Sequence, residues 1–435
     1  TANVALGHRA LLTNTTADNN TAVGYDSLKL NTTGTAGTAV GKGALAANTT
    51  GNHNVSIGED ALAANVTAHR ATAVGYQALK ASNVSGNSNS GNTAVGFQAG
   101  TAMTTGLANT LVGALAGDAI TTGGSNTAVG YDALTANTTA ANNTAVGKDA
   151  LLANTTGTAG TAVGKGALQS NVNGTDNTGL GCLALSATTS GSNNVAVGRS
   201  SLQNNTTGAE NVAVGYNCVI ANTTGGNLVA VGKGALESNT TANNNVAVGL
   251  RALNANTTGA DNTAMGRDAL YVNTTGAYNV AVGGFALDAN TTAAGNTAVG
   301  WSSGTANTTG AGMVAVGYTT LDANTTGDWN TACGYTALGV NTTGAQNTAV
   351  GAFSLDANTT AANNTAVGYA SLGANTTGSE NTALGTSAGA AVTTGDSNVA
   401  LGFKALFTED TGHKNVAIGD SALRVLNYNG DGNNT

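Results

Sequence analysis

The sequence predicts an all-β protein, a parallel β-solenoid of about 25 coils with 17 residues in each. Three observations predict it. A glycine closing Ala-Val-Gly, or a near variant, falls at Gly7, Gly24, Gly41, Gly58 and Gly75, then every 17 residues from Gly96 to Gly419. The residues before each of these glycines are β-branched or small, as a strand favours. Seventeen residues hold two or three short strands and their turns, which is one solenoid coil, whereas a helix-turn-helix repeat needs about 33.

Composition points the same way. Only 8% of the 435 residues are charged, against about 25% in an ordinary globular domain. There are 63 glycines and no proline, and the 41% apolar fraction is mostly small Ala and Val. That is too apolar and too regular for a disordered chain. Fourteen Lys and Arg under a net charge of -8 cannot make the basic stripe that nucleic acid requires. The absence of any run of 18 apolar residues excludes a helical membrane span. The chain opens Thr1-Ala2-Asn3 and reads as a processed or excerpted piece.

One copy, Asn126 to Asn142 (N-T-A-V-G-Y-D-A-L-T-A-N-T-T-A-A-N), defines positions 1 to 17. Position 2 is Thr or Val. Position 3 is Ala in all but three copies, which hold Ser56, Leu111 and Gly179. Position 4 is apolar, and position 5 is Gly in all twenty-five copies. Position 8 is small. Position 9 is Leu in twenty copies, Val219 in one, and Gly100, Gly117, Gly304 or Gly389 in the other four. The period breaks once, at a four-residue insertion within 81-91. The solenoid is expected to span 1-426, and 427-435 to form a polar tail or linker.

Positions 1 to 4 and 7 to 10 are the two strand-like runs. The glycine at position 5 calls for positive φ or close backbone approach. Position 15 is Gly eighteen times and Ala six times, so it calls for smallness alone. Coils at strand spacing advance about 4.8 Å each, roughly 120 Å for the full stack. Asn recurs at position 1 in twenty copies and at position 12 in eighteen, and such columns form hydrogen-bonded ladders.

As a strand, the second run points its small position 8 and its Leu at position 9 to opposite faces. One rod hides only one of those faces. The second apolar column is therefore expected to pack against partner chains, as a homotrimer or an end-to-end filament. Three of the four copies with Gly at position 9 replace Asn at position 12 by Met103, Ile120 or Val392. Leu426 is the other large apolar residue there. Positions 9 and 12 are thus expected to fill one shared cavity. Cys218 and Cys333 take the places of small or apolar residues and read as buried hydrophobes, and Cys182 is isolated. None of the three forms a disulfide or metal framework.

The core Asn-Thr/Val-Ala-Val/Ile-Gly, repeated in register over nearly the whole chain, resembles the head repeats of trimeric autotransporter adhesins. The resemblance implies a left-handed β-roll packed three to a bundle. The form Asn262 to Tyr278, with Asn273-Thr274-Thr275-Gly276, is similar to repeats of phage tail fibres and bacterial surface fibres. Both imply a structural or adhesive part placed outside the cell, on its surface or on a virion.

Position 6 collects most of the large polar and aromatic side chains. Tyr25, Tyr76, Tyr131, Tyr216, Trp301, Tyr318, Tyr335 and Tyr369 lie there with Phe97 and Phe403. So do Lys42, Lys148, Lys165, Lys233, Arg199 and Arg267. Such a column suits stacking and cation–π contacts with a glycan or cell surface, or else a ladder that covers backbone or seals a subunit seam. Asn-x-Thr/Ser at position 12 makes formal glycosylation sequons of Asn14, Asn31, Asn48, Asn137, Asn154, Asn222, Asn256 and Asn273, and one residue later of Asn83. The alternative is that these are turn and ladder residues.

An ice-binding solenoid is a minor alternative, disfavoured because Thr stands beside Thr at positions 13 and 14 instead of alternating. Catalysis lacks a constellation. His8, His53, His69 and His413 are scattered, and Asp at position 7 recurs in only five copies. Calcium repeats need a carboxylate in every turn. No cofactor is implied.

Overall fold

A computed structural model describes residues 2–425 except 87 and 409. Leu426 and the expected tail 427-435 lie outside the described residues. The chain divides into two compact units, Thr1–Thr224 and Gly225–Thr435.

Each unit is a parallel β-solenoid, and no helix occurs among the described residues. In the first unit, three-residue strands run from β1 (Val4–Leu6) to β13 (Val212–Val214); in the second, from β14 (Val229–Val231) to β25 (Val416–Ile418). Within a unit each strand pairs in parallel with the strand of the next coil. The register places like upon like: Thr21 faces Thr38, Ala22 faces Ala39 and Val23 faces Val40. The insertion leaves this register intact, because Thr72 still faces Thr93. Its extra residues return through a bridge between His69 and Asn89.

These strands are positions 2 to 4. The alternation of a pleat sends position 3 inward and positions 2 and 4 outward. Ala22, Ala128 and their equivalents are buried except for Ala5 of the first coil, while the flanking Thr and Val are half-exposed or exposed.

The run at positions 7 to 10 is not a strand, contrary to its apolar pattern. It is a succession of turns in which positions 7 and 9 adopt left-handed backbone, as at Asp132 (φ 55°) and Leu134 (φ 59°). Position 17 does likewise, as at Asn142 (φ 62°). A left-handed non-glycine residue costs about 1–2 kcal/mol. Burying a Leu side chain contributes about 1.5–3 kcal/mol, which offsets that cost. The turn geometry also carries positions 8 and 9 to the same side. Ala133 and Leu134 are both fully buried, as are their equivalents in all but the first and last coils, where Ala10, Leu11, Ala422 and Leu423 are half-buried. The expectation that positions 8 and 9 would point to opposite faces, one of them toward partner chains, is therefore corrected. In the strand, the side chains left outside are those of positions 2 and 4.

Backbone donors of the turns still reach neighbouring coils. Leu134 N–H donates to Ala150 O at 3.0 Å, Ala136 N–H to Leu152 O at 3.0 Å, and Asp149 N–H to Tyr131 O at 3.1 Å. Gly130, at position 5, has φ 143°, and a Cβ on it would lie 2.6 Å from the carbonyl oxygen of Gly147 in the next coil. Both reasons for an obligatory glycine thus operate together. Position 15 differs as expected. Gly34 has no positive φ, yet a Cβ there would meet Asn31 Oδ1 at 2.5 Å and Gly51 O at 2.6 Å.

The two Asn columns do different work. At position 12 the amides form a true ladder. Asn48 Nδ2 donates to Asn31 Oδ1 at 2.8 Å, and Asn341 Nδ2 to Asn324 Oδ1 at 2.8 Å. At position 1 the side-chain oxygen accepts instead from backbone, as Asn126 Oδ1 does from Asn143 N–H at 3.0 Å. Both amide nitrogens then converge on one carbonyl, that of position 15. Gly34 O accepts from Asn20 Nδ2 and from Asn31 Nδ2, each at 2.9 Å.

The residue at position 15 tunes this ladder. Where it is Gly, the next amide link measures 2.8–3.0 Å, as from Asn65 to Asn48 at 3.0 Å and from Asn171 to Asn154 at 2.9 Å. Where it is Ala17, Ala242, Ala293 or Ala361, the link to Asn14, Asn239, Asn290 or Asn358 stretches to 3.1–3.2 Å. Beside Ala140 the amide turns to accept from its own loop, with Ala140 N–H donating to Asn137 Oδ1 at 2.9 Å. The extra methyl occupies the space into which the amide oxygen would otherwise settle.

The exchange between positions 9 and 12 holds. A Cβ on Gly117 would meet Ile120 Cδ1 at 2.7 Å, and one on Gly100 would lie 3.7 Å from Met103 Cε. Leu111 joins them from position 3, its methyls 2.7 Å from the same point on Gly100 and 2.9 Å from that on Gly117. Gly304, which keeps Asn307 at position 12, is filled instead by Met313 from position 1, with Cε 2.7 Å away.

Candidate functional site

Position 6 follows the obligatory glycine, where the chain leaves the sheet, and its side chains stand off the coil. All twelve expected residues are exposed: Tyr25, Tyr76, Tyr131, Tyr216, Trp301, Tyr318, Tyr335, Tyr369, Lys42, Lys148, Lys165 and Lys233. Stacking of coils brings neighbouring members together. Tyr76 and Phe97 are near-parallel at 5.4 Å between centroids, and Tyr318 and Tyr335 at 5.5 Å. Position 7 contributes rings that the sequence reading passed over. Phe353 meets Tyr335 at 5.3 Å and Tyr369 at 5.8 Å, both edge to face, and Phe285 meets Trp301 at 5.1 Å.

In the first unit this surface supplies its own cations. Arg9 lies over Tyr25, Lys148 over Tyr131 and Arg199 over Tyr216. Arg9 also pairs with Asp26, and Lys42 with Glu59 at 2.9 Å. The hydrogen bond from Arg9 holds the Asp26 carboxyl below the usual carboxylate range. Exposed pairs of this kind contribute little to stability.

The second unit contains a long stretch with no such partners. Between Arg267 and Lys404 there is no Lys, Arg or His. Here position 10 carries Asp288, Asp322 and Asp356, half-buried, and burial pushes each carboxyl above its ordinary range. An open groove of about 510 Å³ lies against two of them, lined by Thr319, Asp322, Ala323, Thr336, Gly339, Val340, Phe353 and Asp356. Its signal in the sequence was the missing cations, together with the alternation Asp322, Gly339, Asp356, Gly373 at one repeat position.

A second groove, about 610 Å³ and more polar, is lined by Thr377, Ser379, Glu380, Asp396, Ser397, His413 and Lys414. It lies along position 16, whose side chains accept hydrogen bonds from backbone of the preceding coil. His413 Nδ1 accepts from Asp396 N–H at 2.9 Å, and His69 Nδ1 from Asn52 N–H at 2.7 Å. Among the described residues no group of three or more His, Cys, Asp and Glu is placed to hold a metal ion.

The sequon asparagines Asn31, Asn48, Asn137, Asn154, Asn222, Asn256 and Asn273 are fully buried, and Asn14 is half-buried. Their amide nitrogens are hydrogen-bonded within the ladder or its loop, as Asn273 Nδ2 is to Asn256 Oδ1 at 2.9 Å and to Gly276 O at 3.0 Å. The geometry suits turn and ladder residues. Asn83, in the insertion, is exposed. The Thr at position 13 is equally engaged: Thr274 Oγ1 donates to Thr291 O at 3.1 Å, which withdraws that hydroxyl from any outer grid.

The thiols divide by position. Cys218, at position 8, is buried as expected, and burial pushes it up to about 12. Cys333 is exposed, contrary to expectation, because position 4 points outward. Cys182, at position 6, is exposed too.

No protein-family model matches the chain, and no curated protein matches it.

Proposed function

We propose that this chain is a structural shaft, a segment of an extracellular fibre or adhesin on a cell surface or virion. One observation carries the reading. In each unit the backbone donors of strand and turn alike bond to adjoining coils, and the Asn and Thr ladders repeat those links in the side chains. Hydrogen bonds distributed at every coil resist bending, and stiffness is what a shaft supplies. With fourteen Lys and Arg in 435 residues, a shaft of this kind also offers trypsin few sites.

Self-association, as a homotrimer or a filament, belongs to the same proposal. The β-branched Thr and Val of position 2 and the apolar side chains of position 4 are the surface open to it, and apolar strips of this kind mark interfaces. Electron micrographs combined with a mass measurement test both parts. Straight rods are expected, and their mass separates monomer, trimer and filament. Compact or freely bending particles would overturn the shaft reading.

A second reading has its own observation. The rings at position 6 are about half exposed, for example Tyr131 at 50% and Tyr318 at 51%, which suits stacking against a glycan. Replacing Tyr131, Tyr216 and Tyr318 by Ala separates the two. Lost binding on a glycan array with assembly unchanged favours recognition, and lost assembly favours a structural seam.

A further inference from the structure

We propose that the groove between Asp322 and Asp356 binds a linear organic dication, two ammonium groups joined by a short apolar chain. Four observations on separate residues converge on this ligand.

The first is charge without a counter-charge, the carboxylates being held only by backbone N–H groups of their own turn. Asp322 and Asp356 stand at position 10, and the ion pairs of the second unit engage Asp268 and Asp396 instead. No Lys, Arg or His occurs between Arg267 and Lys404. A half-desolvated carboxylate is costly without a counter-charge, and this stretch of the chain supplies none.

The second is spacing. The two carboxylates occupy the same repeat position two coils apart, a separation of roughly 10 Å at strand spacing. That is too far for one metal ion to bridge, but it is the span of a diamine with about seven methylenes. The third is the gap between them. Gly339 holds the intervening position 10, and an added Cβ would meet nothing nearer than Thr336 O at 3.1 Å. A side chain there would fill the slot, so its absence makes the groove.

The fourth is the lining. Phe353 presents an aromatic ring, with Val340 and Ala323 along the same wall. An aromatic face next to carboxylates is a favourable setting for an alkylammonium ion. Elsewhere on this protein the same chemistry is satisfied internally, as where Lys148 lies over Tyr131 and reaches Asp149 at 3.4 Å. Here the cation has to come from outside.

The test uses the full chain with heptane-1,7-diamine as the probe, measured by isothermal titration calorimetry beside heptylamine and magnesium chloride. The diamine is expected to bind at least tenfold more tightly than the monoamine, with no comparable signal from magnesium. Asp322→Asn with Asp356→Asn should reduce diamine binding at least tenfold. Asp176→Asn with Glu210→Gln, which removes two charges from the first unit, should leave it unchanged. Gly339→Leu keeps both carboxylates but fills the slot, and should also abolish binding, with circular dichroism and melting retained. Equal affinity for diamine and monoamine would overturn the proposal. So would equal losses in the two double variants, or undiminished binding in Gly339→Leu.

Discussion

Two stretches of the coil interior solve the same packing problem with opposite chemistry. From Asn256 to Asn375 the amides of position 12 link coil to coil, as Asn324 to Asn307 at 2.9 Å and Asn358 to Asn341 at 2.8 Å. Position 9 beside them is mostly a buried Leu. Around Gly100 and Gly117 both features are gone, and Met103, Leu111 and Ile120 occupy the space. The backbone is unchanged: Gly100 and Gly117 keep φ of 60° and 56°, the left-handed value that Leu holds elsewhere. The coil therefore requires a filled interior and satisfied carbonyls, not a particular residue. A Gly at position 9 relieves the left-handed cost, but it empties a volume that a neighbour has to refill.

This comparison can be broken most severely at Leu111. Its methyls reach two glycine sites at once, so Leu111→Ala opens space at both. A loss of about 3–5 kcal/mol is expected. In a repeat protein this loss falls mainly on nearby coils. Hydrogen exchange of the coils either side of Leu111 is the measurement, and unchanged protection there would refute the filling role.

A smaller effect separates the two chemistries directly. Met103→Ser removes apolar volume and buries a hydroxyl, for about 2–5 kcal/mol. Asn137→Ser removes amide hydrogen bonds and retains a polar group, for about 1–3 kcal/mol. Urea unfolding monitored by exchange near each site should rank Met103→Ser above Asn137→Ser, and equal effects would count against a shared cavity.

The smallest effect sharpens the role of position 15. Gly157→Ala should press on Asn154 Oδ1 and lengthen its link from Asn171, now 2.9 Å. Weakening such a bond costs about 0.5–1.5 kcal/mol. The gain from replacing a glycine, about 0.4–1 kcal/mol, offsets most of that. Little net change in stability is expected, with faster exchange at the local amides. A drop of several kcal/mol would mean that Ala is not tolerated there.

Much of the interior was legible in the sequence. The exchange of Met103, Ile120 and Val392 for Asn announces the shared cavity in the sequence itself. Met313 and Leu111 carried the same message at positions 1 and 3, where apolar substitution was not connected to Gly304, Gly100 or Gly117. The candidate site was less legible. The position 6 column stood out by residue type, but the groove depends on Phe353 at position 7 and on Asp322 and Asp356 at position 10. Asp322 lies two coils away from Phe353 and Asp356, and the three meet only when the coils stack.

By itself the sequence determined the 17-residue coil, a strand within positions 1 to 4, the obligatory glycine at position 5 and the small residue at position 15. Each follows from a local requirement repeated many times: β-branching, positive φ, or close approach of backbones. Only the tertiary structure decided the course of positions 7 to 10 and, with it, the direction of the leucines. A Leu in isolation disfavours left-handed backbone. The bonds from Leu134 to Ala150 and from Ala136 to Leu152, together with burial against stacked neighbours, hold it there. That balance belongs to the stack of coils and cannot be read from one copy of the repeat.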